Sequence, residues 1–301
     1  MSEWIRKNKA DKQSFGNQTQ GWSNNKKLEN SEYAFKNGGK DYLSNELKII
    51  RIKTYHDHYN TSLKLSSIID QIRKTLKENA DEKTREVSQR FFKEPLKCYG
   101  IKAATVHKIS KDCFKLINHK PKQEVFDLCE NLWQSGYLEE SLIACNWSYF
   151  IRKKYEPEDF FIFERWISTY VNNWASCDTL CNHSVGAFIE LYPTYLINLK
   201  EFASSENRWL RRASAVSLII PAKKGKFLCD ILEIADILLL DTDDLVQKGY
   251  GWMLKAASKN HQQAIFDYVM QNKALMPRTA LRYAIEKMPK DLKRLAMKRL
   301  I

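Results

Sequence analysis

Glycine is scarce through most of this chain. Ten glycines occur in 301 residues, and only six of them lie beyond residue 60. So little of the residue that eases tight turns argues for long regular segments there. Long apolar runs are missing as well, with no stretch of about 18 apolar residues, so no transmembrane helix is expected. The opening "MSEWIRKNKADKQS" lacks the apolar core of a secretory signal. No segment alternates apolar and polar residues convincingly with a period of two, which argues against a sheet. The seven cysteines are odd in number and scattered. That usage fits a reducing cytoplasm, in a bacterium the cytoplasm or nucleoid, better than a disulfide scaffold.

Motifs for the commoner chemistries are also absent. There is no GxxxxGK[ST] phosphate loop, no HExxH and no evident Ser-His-Asp order. "CDTLCNH" (177–183) places two cysteines and a histidine close together, but a metal site needs more ligands and usually tighter cysteine spacing. Packed free thiols are the expectation for Cys177 and Cys181. Neither a metal nor an organic cofactor is expected.

What is present is positive charge. Lys and Arg total 49 against 36 Asp and Glu, a formal net charge of +13. That balance favours a polyanionic partner, nucleic acid first and an anionic membrane surface second. The apolar fraction of 44% is enough for a sizeable core.

Two segments differ in character. Residues 1–60 are rich in Asn, Gln, Lys and Ser and read as a basic, largely flexible extension. It is either an arm for nucleic acid or an appendage without such a role. "YLSNELKIIRIKTY" (42–55) has the pattern of a short helix. Residues 61–301 read as helical throughout. "LKLSSIIDQIRKTLKE" sets Leu65, Ile68, Ile69, Ile72 and Leu76 on one stripe, and "EVFDLCENLWQ" and "FFIFERWISTYV" repeat that periodicity. Pro121, Pro157 and Pro193 stand 36 residues apart, and each opens a helical pattern. Proline suits a first helical turn, where its missing N–H is not needed. Further helices are expected over "ENRWLRRASAVSLII", "AKKGKFLCDILEIADILLL" and "DTDDLVQKGYGWMLKAASK". Two short ones close the chain in "PRTALRYAIEKMPKDLKRLAMKRLI". The predicted fold is all-α: an α-solenoid of stacked antiparallel helix pairs, HEAT-like, with a concave face suited to a rod-like ligand.

Three segments put tryptophan beside charge. They are "NNWASCD" with Trp174 and Asp178, "ENRWLRRAS" with Trp209, Arg211 and Arg212, and "VQKGYGWML" with Lys248, Tyr250 and Trp252. Taken singly, each has a structural reading. The indoles can fill a core, Asp178 can cap a helix, and the arginines can be solvated.

Taken in order, the segments resemble the DNA alkylation repair family of AlkD-like HEAT-repeat glycosylases. The likeness runs from about residue 65 to the end. It begins in "SQRFFKEPLKCYGIKAATVHKI" and continues through "SENRWLRRASAV" and "LVQKGYGWMLKAASK". Two departures stand in the opening segment, where Ala104 takes the place of a preferred proline and Phe91 and Phe92 stand near a common tyrosine. The resemblance implies that Asp178 is the catalytic carboxylate and that Trp174 and Trp252 flank the lesion. It implies that Arg212 holds the DNA backbone near the lesion. Beside those four positions, the basic excess makes Arg211 and Lys248 DNA-binding candidates, and Trp209 and Tyr250 of the same segments are counted with them. The resemblance further implies a lesion that stays stacked in the duplex.

The residue types suit that chemistry. A purine alkylated at N3 or N7 is cationic and leaves as a neutral base, so the enzyme's task is to stabilise an oxocarbenium-like sugar. A carboxylate does this electrostatically. An indole face attracts a cation by about 0.5–2 kcal/mol. Lys223, Lys224, Lys226, Arg152, Lys153 and Lys154 are additional candidates for phosphate contact. The expected function is therefore a monomeric, monofunctional glycosylase acting on 3-methyladenine and 7-methylguanine in double-stranded DNA. No lysine at the matched positions suggests a lyase step. A non-catalytic binder of branched or damaged DNA, and a helical scaffold for proteins, are the competing readings.

Overall fold

The computed structural model describes residues 67–298. The extension over 1–60 and the helix expected at 42–55 lie outside the described residues. Among the described residues there is no strand. No helix there is long and apolar enough to cross a membrane.

The chain opens with α1 (67–78), α2 (Glu82–Gln89) and α3 (Ala103–Phe114). It then alternates between two rows of helices. α4 (Lys122–Gln134) pairs with α5 (Leu138–Phe150), and α6 (Asp159–Thr169) precedes α7 (Trp174–Thr179). α7 runs through a π-helical segment (Leu180–Val185) into α8 (Gly186–Leu191). α9 (Leu196–Ala203) pairs with α10 (Arg208–Val216), which is followed by α11 (Ile219–Lys223). α12 (Leu228–Ile237) pairs with α13 (Asp244–Ala257), and α14 (Gln262–Asn272), α15 (Arg278–Ala284) and α16 (Lys290–Met297) end the stack.

Connections of a few residues make consecutive helices antiparallel neighbours. Helices two or three steps apart also touch. One row runs α3, α5, α7, α10, α13, α15, and the other includes the contacts α9 with α12 and α14 with α16. Stacked pairs that contact mainly their neighbours form an α-solenoid.

Burial follows the periodicity. Ile69, Ile72 and Leu76 of α1 are buried, and Trp147, Trp166, Phe126, Phe160, Phe163 and Phe188 fill the middle of the stack. Cys177 and Cys181 are fully buried free thiols. Each of the three prolines stands at or just before a helix. Pro121 caps α4, Pro157 precedes α6, and Pro193 begins the 3-10 turn before α9.

One helix differs from expectation. "ENRWLRRASAVSLII" breaks after Val216, and the chain resumes as α11 at Ile219. Pro221 has no N–H to give the carbonyl four residues earlier, and its ring crowds that carbonyl, so an unbroken helix is disfavoured there. The freed Ser217 carbonyl lies beside α8, where a Cβ on Gly186 would sit 2.7 Å from it. Glycine at 186 permits that close approach.

The opening segment is pinned from below. The Glu139 carboxylate accepts from the backbone N–H groups of Tyr99, Gly100 and Ile101 at 2.9, 2.9 and 3.1 Å. Neighbouring Glu140 accepts from the Tyr99 hydroxyl at 2.8 Å and from Arg73 Nη2 at 3.1 Å. Gly100 has φ +84°, and a Cβ there would meet the Asp81 carbonyl at 2.4 Å. Ala104 is the second residue of α3 and is exposed. In a first turn neither proline nor alanine forfeits a helical bond, so the departure leaves the fold intact.

Candidate functional site

Three helices of one row carry the site, and each begins with a side-chain N-cap. Asn173 Oδ1 accepts from Ser176 N–H at 2.9 Å before α7. Asn207 Oδ1 accepts from Trp209 N–H at 2.9 Å before α10, and Asp243 Oδ1 accepts from Leu245 N–H at 2.8 Å before α13. Short polar side chains satisfy first-turn N–H groups and fix where a helix starts. Asp178, Arg212 and Lys248 each stand five residues after their cap, so stacking brings them to one level.

They meet at a cavity of about 440 Å³. Trp174 and Asp178 come from α7, Trp209 and Arg212 from α10, and Lys248, Trp252 and Lys255 from α13. Phe91, Phe92, Lys93 and Glu94 reach it from the loop after α2, and Tyr283 from α15.

The polar centre is one ion pair. Arg212 Nε donates to Asp178 Oδ1 and Nη2 to Oδ2, both at 2.8 Å. Arg212 Nη1 donates to the Leu245 carbonyl, tying the pair to α13. The side chains are 6% exposed for Arg212 and 14% for Asp178. Burial pushes the Asp178 carboxyl above the ordinary aspartate range, and Arg212 draws it partway back. For Arg212 burial acts to lower the pKa, but Asp178 outweighs it and the net shift is upward. A fork-to-fork pair of this kind presents a carboxylate, not a carboxylic acid, to the cavity.

Aromatic rings form the walls. Phe92 stacks on Trp174 at 5.2 Å with an interplanar angle of 14°. Trp174 Nε1 donates to the Phe91 carbonyl at 3.2 Å. These two contacts set the indole's plane. Arg208 lies over the Trp209 ring at 4.7 Å and bonds Glu94 at 3.0 Å, which anchors the loop. Lys248 Nζ pairs with Asp244 at 2.7 Å, and Lys255 Nζ with Glu286 at 2.8 Å.

Two expected DNA contacts are not in the cavity. Tyr250 is fully buried, and its hydroxyl donates to the Leu239 carbonyl at 3.2 Å. Lys248 and Trp252 are four apart and share a face, whereas Tyr250, two from each, points the other way at about 3.6 residues per turn. Arg211 is turned from Arg212 by one residue, and its Nε pairs with Asp241 at 2.6 Å. It also donates to the carbonyls of Ser205 and Glu206. Lys224 and Lys226 both pair with Glu190, and Arg152 stacks on Tyr149.

Other residues joined the site unannounced. Lys93, Glu94 and Tyr283 have no local pattern that marks them. Lys255 could have been found, since it lies one turn beyond Trp252 on the same face. Asn173 is the cap of α7. Among the described residues, no three His, Cys, Asp or Glu side chains converge as metal ligands.

The model of the family of DNA alkylation repair enzymes matches residues 72–288. A solved structure described as a predicted DNA alkylation repair enzyme from Enterococcus faecalis superposes with a TM-score of 0.64 at 19% identity, over 70% of this chain and 98% of that one. It shares the fold. A second, smu.31 from Streptococcus mutans UA159, gives a TM-score of 0.45 at 21% identity, over 66% of this chain and 98% of its own. No curated protein matches the sequence. With its matched residues spanning the whole row of site-bearing helices, the chain belongs to the family of DNA alkylation repair enzymes and has a role in the repair of alkylated DNA.

Proposed function

We propose that the protein is a monofunctional, AlkD-like DNA glycosylase that hydrolyses the N-glycosidic bond of cationic alkylpurines in duplex DNA. The observation that carries this reading is the Asp178 carboxylate, held by Arg212 at the back of an aromatic-walled cavity. In the reaction the bond from C1′ to the purine nitrogen breaks and the electron pair leaves with the base, which becomes neutral. Positive charge then develops on the sugar. Asp178 faces that charge, and Trp174 and Trp252 offer it their π faces. Water adds to C1′, its proton passes to solvent or to Asp178, and an abasic site remains.

The geometry favours a lesion that stays in the stack. The carboxylate is reached from an open groove built by successive helices, an arrangement that suits a sugar–phosphate backbone better than an extruded base. Lys93, Lys248 and Lys255 line that groove, more lysines than the matched positions implied. With Lys248 and Lys255 held in ion pairs, we read them as cations for phosphate, not as Schiff-base nucleophiles. A monomer in the bacterial cytoplasm completes the reading.

The test is release of 7-methylguanine and 3-methyladenine from methylated duplex by the wild type and by Asp178→Asn. Release by the wild type with strong loss in the variant is expected. Equal release removes Asp178 as the catalytic group. No release by the wild type, with tight binding to branched DNA, would instead establish a non-catalytic DNA binder.

A further inference from the structure

A second cleft, of about 580 Å³, adjoins the site on the other side of Trp252. Trp252 and Lys255 line both cavities, so the indole divides them and Lys255 stands at the junction. The rest of its wall includes Lys223, Lys259, Lys287 and Gln262, and no carboxylate lines it.

The lysines are brought there by fold geometry. Lys223 ends α11 and Lys259 follows α13. Asn260 Nδ2 donates to the Lys223 carbonyl at 2.9 Å, and a His261 ring nitrogen lies 3.0 Å from the Gly225 carbonyl. Gly225, at φ +78°, lets the chain turn back for that contact. The run "KKGK" is thereby sorted. Lys224 and Lys226 face the other way and share Glu190, at 2.6 and 3.0 Å. Lys223 and Lys259 are exposed and unpaired among the described residues. Lys255 and Lys287 share the single carboxylate of Glu286, at 2.8 and 3.6 Å from its oxygens.

We propose that this cleft is a separate phosphate subsite, which holds the DNA backbone flanking the nucleotide bound in the Asp178 cavity. It rests on the reading of that cavity as the lesion site. A strand crossing Trp252 leaves one cavity and enters the other, so the subsite sets the register of the duplex. Lysine ammonium groups are compact, flexible point charges, suited to successive backbone phosphates. An oriented small anion calls instead for converging arginine forks or backbone N–H groups, and no arginine lines the cleft.

The experiment is a salt titration of binding to undamaged duplex, followed by fluorescence anisotropy. Each phosphate contact contributes a slope of about 0.9 in log K against log salt. The double variant Lys223→Ala, Lys259→Ala is expected to flatten the slope by about 2, with an unchanged melting temperature. Lys259→Glu alone is expected to flatten it by about 1 or more. Lys224→Ala, Lys226→Ala, whose side chains are drawn to Glu190 and away from the cleft, is expected to flatten the slope less than the first double variant. A wild-type slope in the first double variant, or equal flattening in the second, overturns the proposal. Because undamaged DNA is used, this outcome is independent of excision. Failure of the wild type to release methylated bases would sink the glycosylase reading and leave the slopes standing.

Discussion

Arg212 and Asp178 form a two-pronged ion pair, 2.8 Å on each arm, between helices of successive stacked units. The same contact joins α7 to α10 and holds a carboxylate at the cavity wall. Asp178→Asn is expected to lower single-turnover excision by about 10²-fold or more, the scale for losing one preorganised electrostatic group. It also takes the counter-charge from a guanidinium that is 6% exposed, while removing a buried negative charge that itself costs desolvation, so two opposing effects set the change in stability. Chemical denaturation beside the kinetic assay separates stability from rate. An unchanged excision rate per folded molecule would remove Asp178 from the chemistry.

The pH dependence has a definite sign. The carboxyl titrates above the ordinary aspartate value of 3.8 because burial outweighs Arg212. On the proposed mechanism excision needs the ionised form, so the rate is expected to fall as pH drops through this raised value, with an acid limb above 3.8. Linkage gives stability the opposite trend. The folded chain binds this proton more tightly than the unfolded chain, so the group's contribution is greatest below 3.8 and is lost as pH rises through the folded value. A single-turnover rate profile on preformed 7-methylguanine duplex tests the activity limb. An acid limb at or below 3.8 would contradict it.

The two faces of α13 are expected to separate cleanly. Trp252→Ala removes a wall of the cavity and is expected to cut excision about tenfold, near the upper range of a desolvated cation–π contact. Tyr250→Phe removes a buried hydroxyl bonded to the Leu239 carbonyl and is expected to cost about 1 kcal/mol of stability with DNA affinity unchanged. Weakened DNA binding in Tyr250→Phe, at equal folded fraction, would show that the helix presents a different face.

Glu139 is expected to matter as much as a core side chain. Its carboxylate satisfies three backbone N–H groups of the loop leading into α3. Glu139→Ala strands those donors, at about 1–3 kcal/mol for each that water cannot reach. A melting temperature lowered by several degrees is expected, and a melt unchanged within error would count against the clamp.

Borohydride trapping with damaged duplex probes the lysines. Lys248 and Lys255 are ion-paired with Asp244 and Glu286, and no covalent adduct is expected. A trapped adduct lost in Lys248→Ala would make the enzyme bifunctional.

Much of this was legible in the chain itself. Apolar spacing without period-two alternation determined the helices of the described residues, and prolines 36 residues apart marked successive units of the stack. Trp174 and Asp178, four apart, had to share a helical face wherever that helix lay. Tyr250 and Arg211 lie off the cavity-facing side of their helices, because a step of one or two residues turns a side chain by about 100° or 200°. The break at Pro221 was open to a local rule. Tertiary structure alone decided the partnerships. That Arg212 closes on Asp178, that Glu94 reaches Arg208 across 114 residues of sequence, and that Lys223 faces a cleft while Lys224 faces Glu190 all follow from how the units stack. Helical periodicity fixes what lies on one face of one helix, and only packing fixes which faces meet.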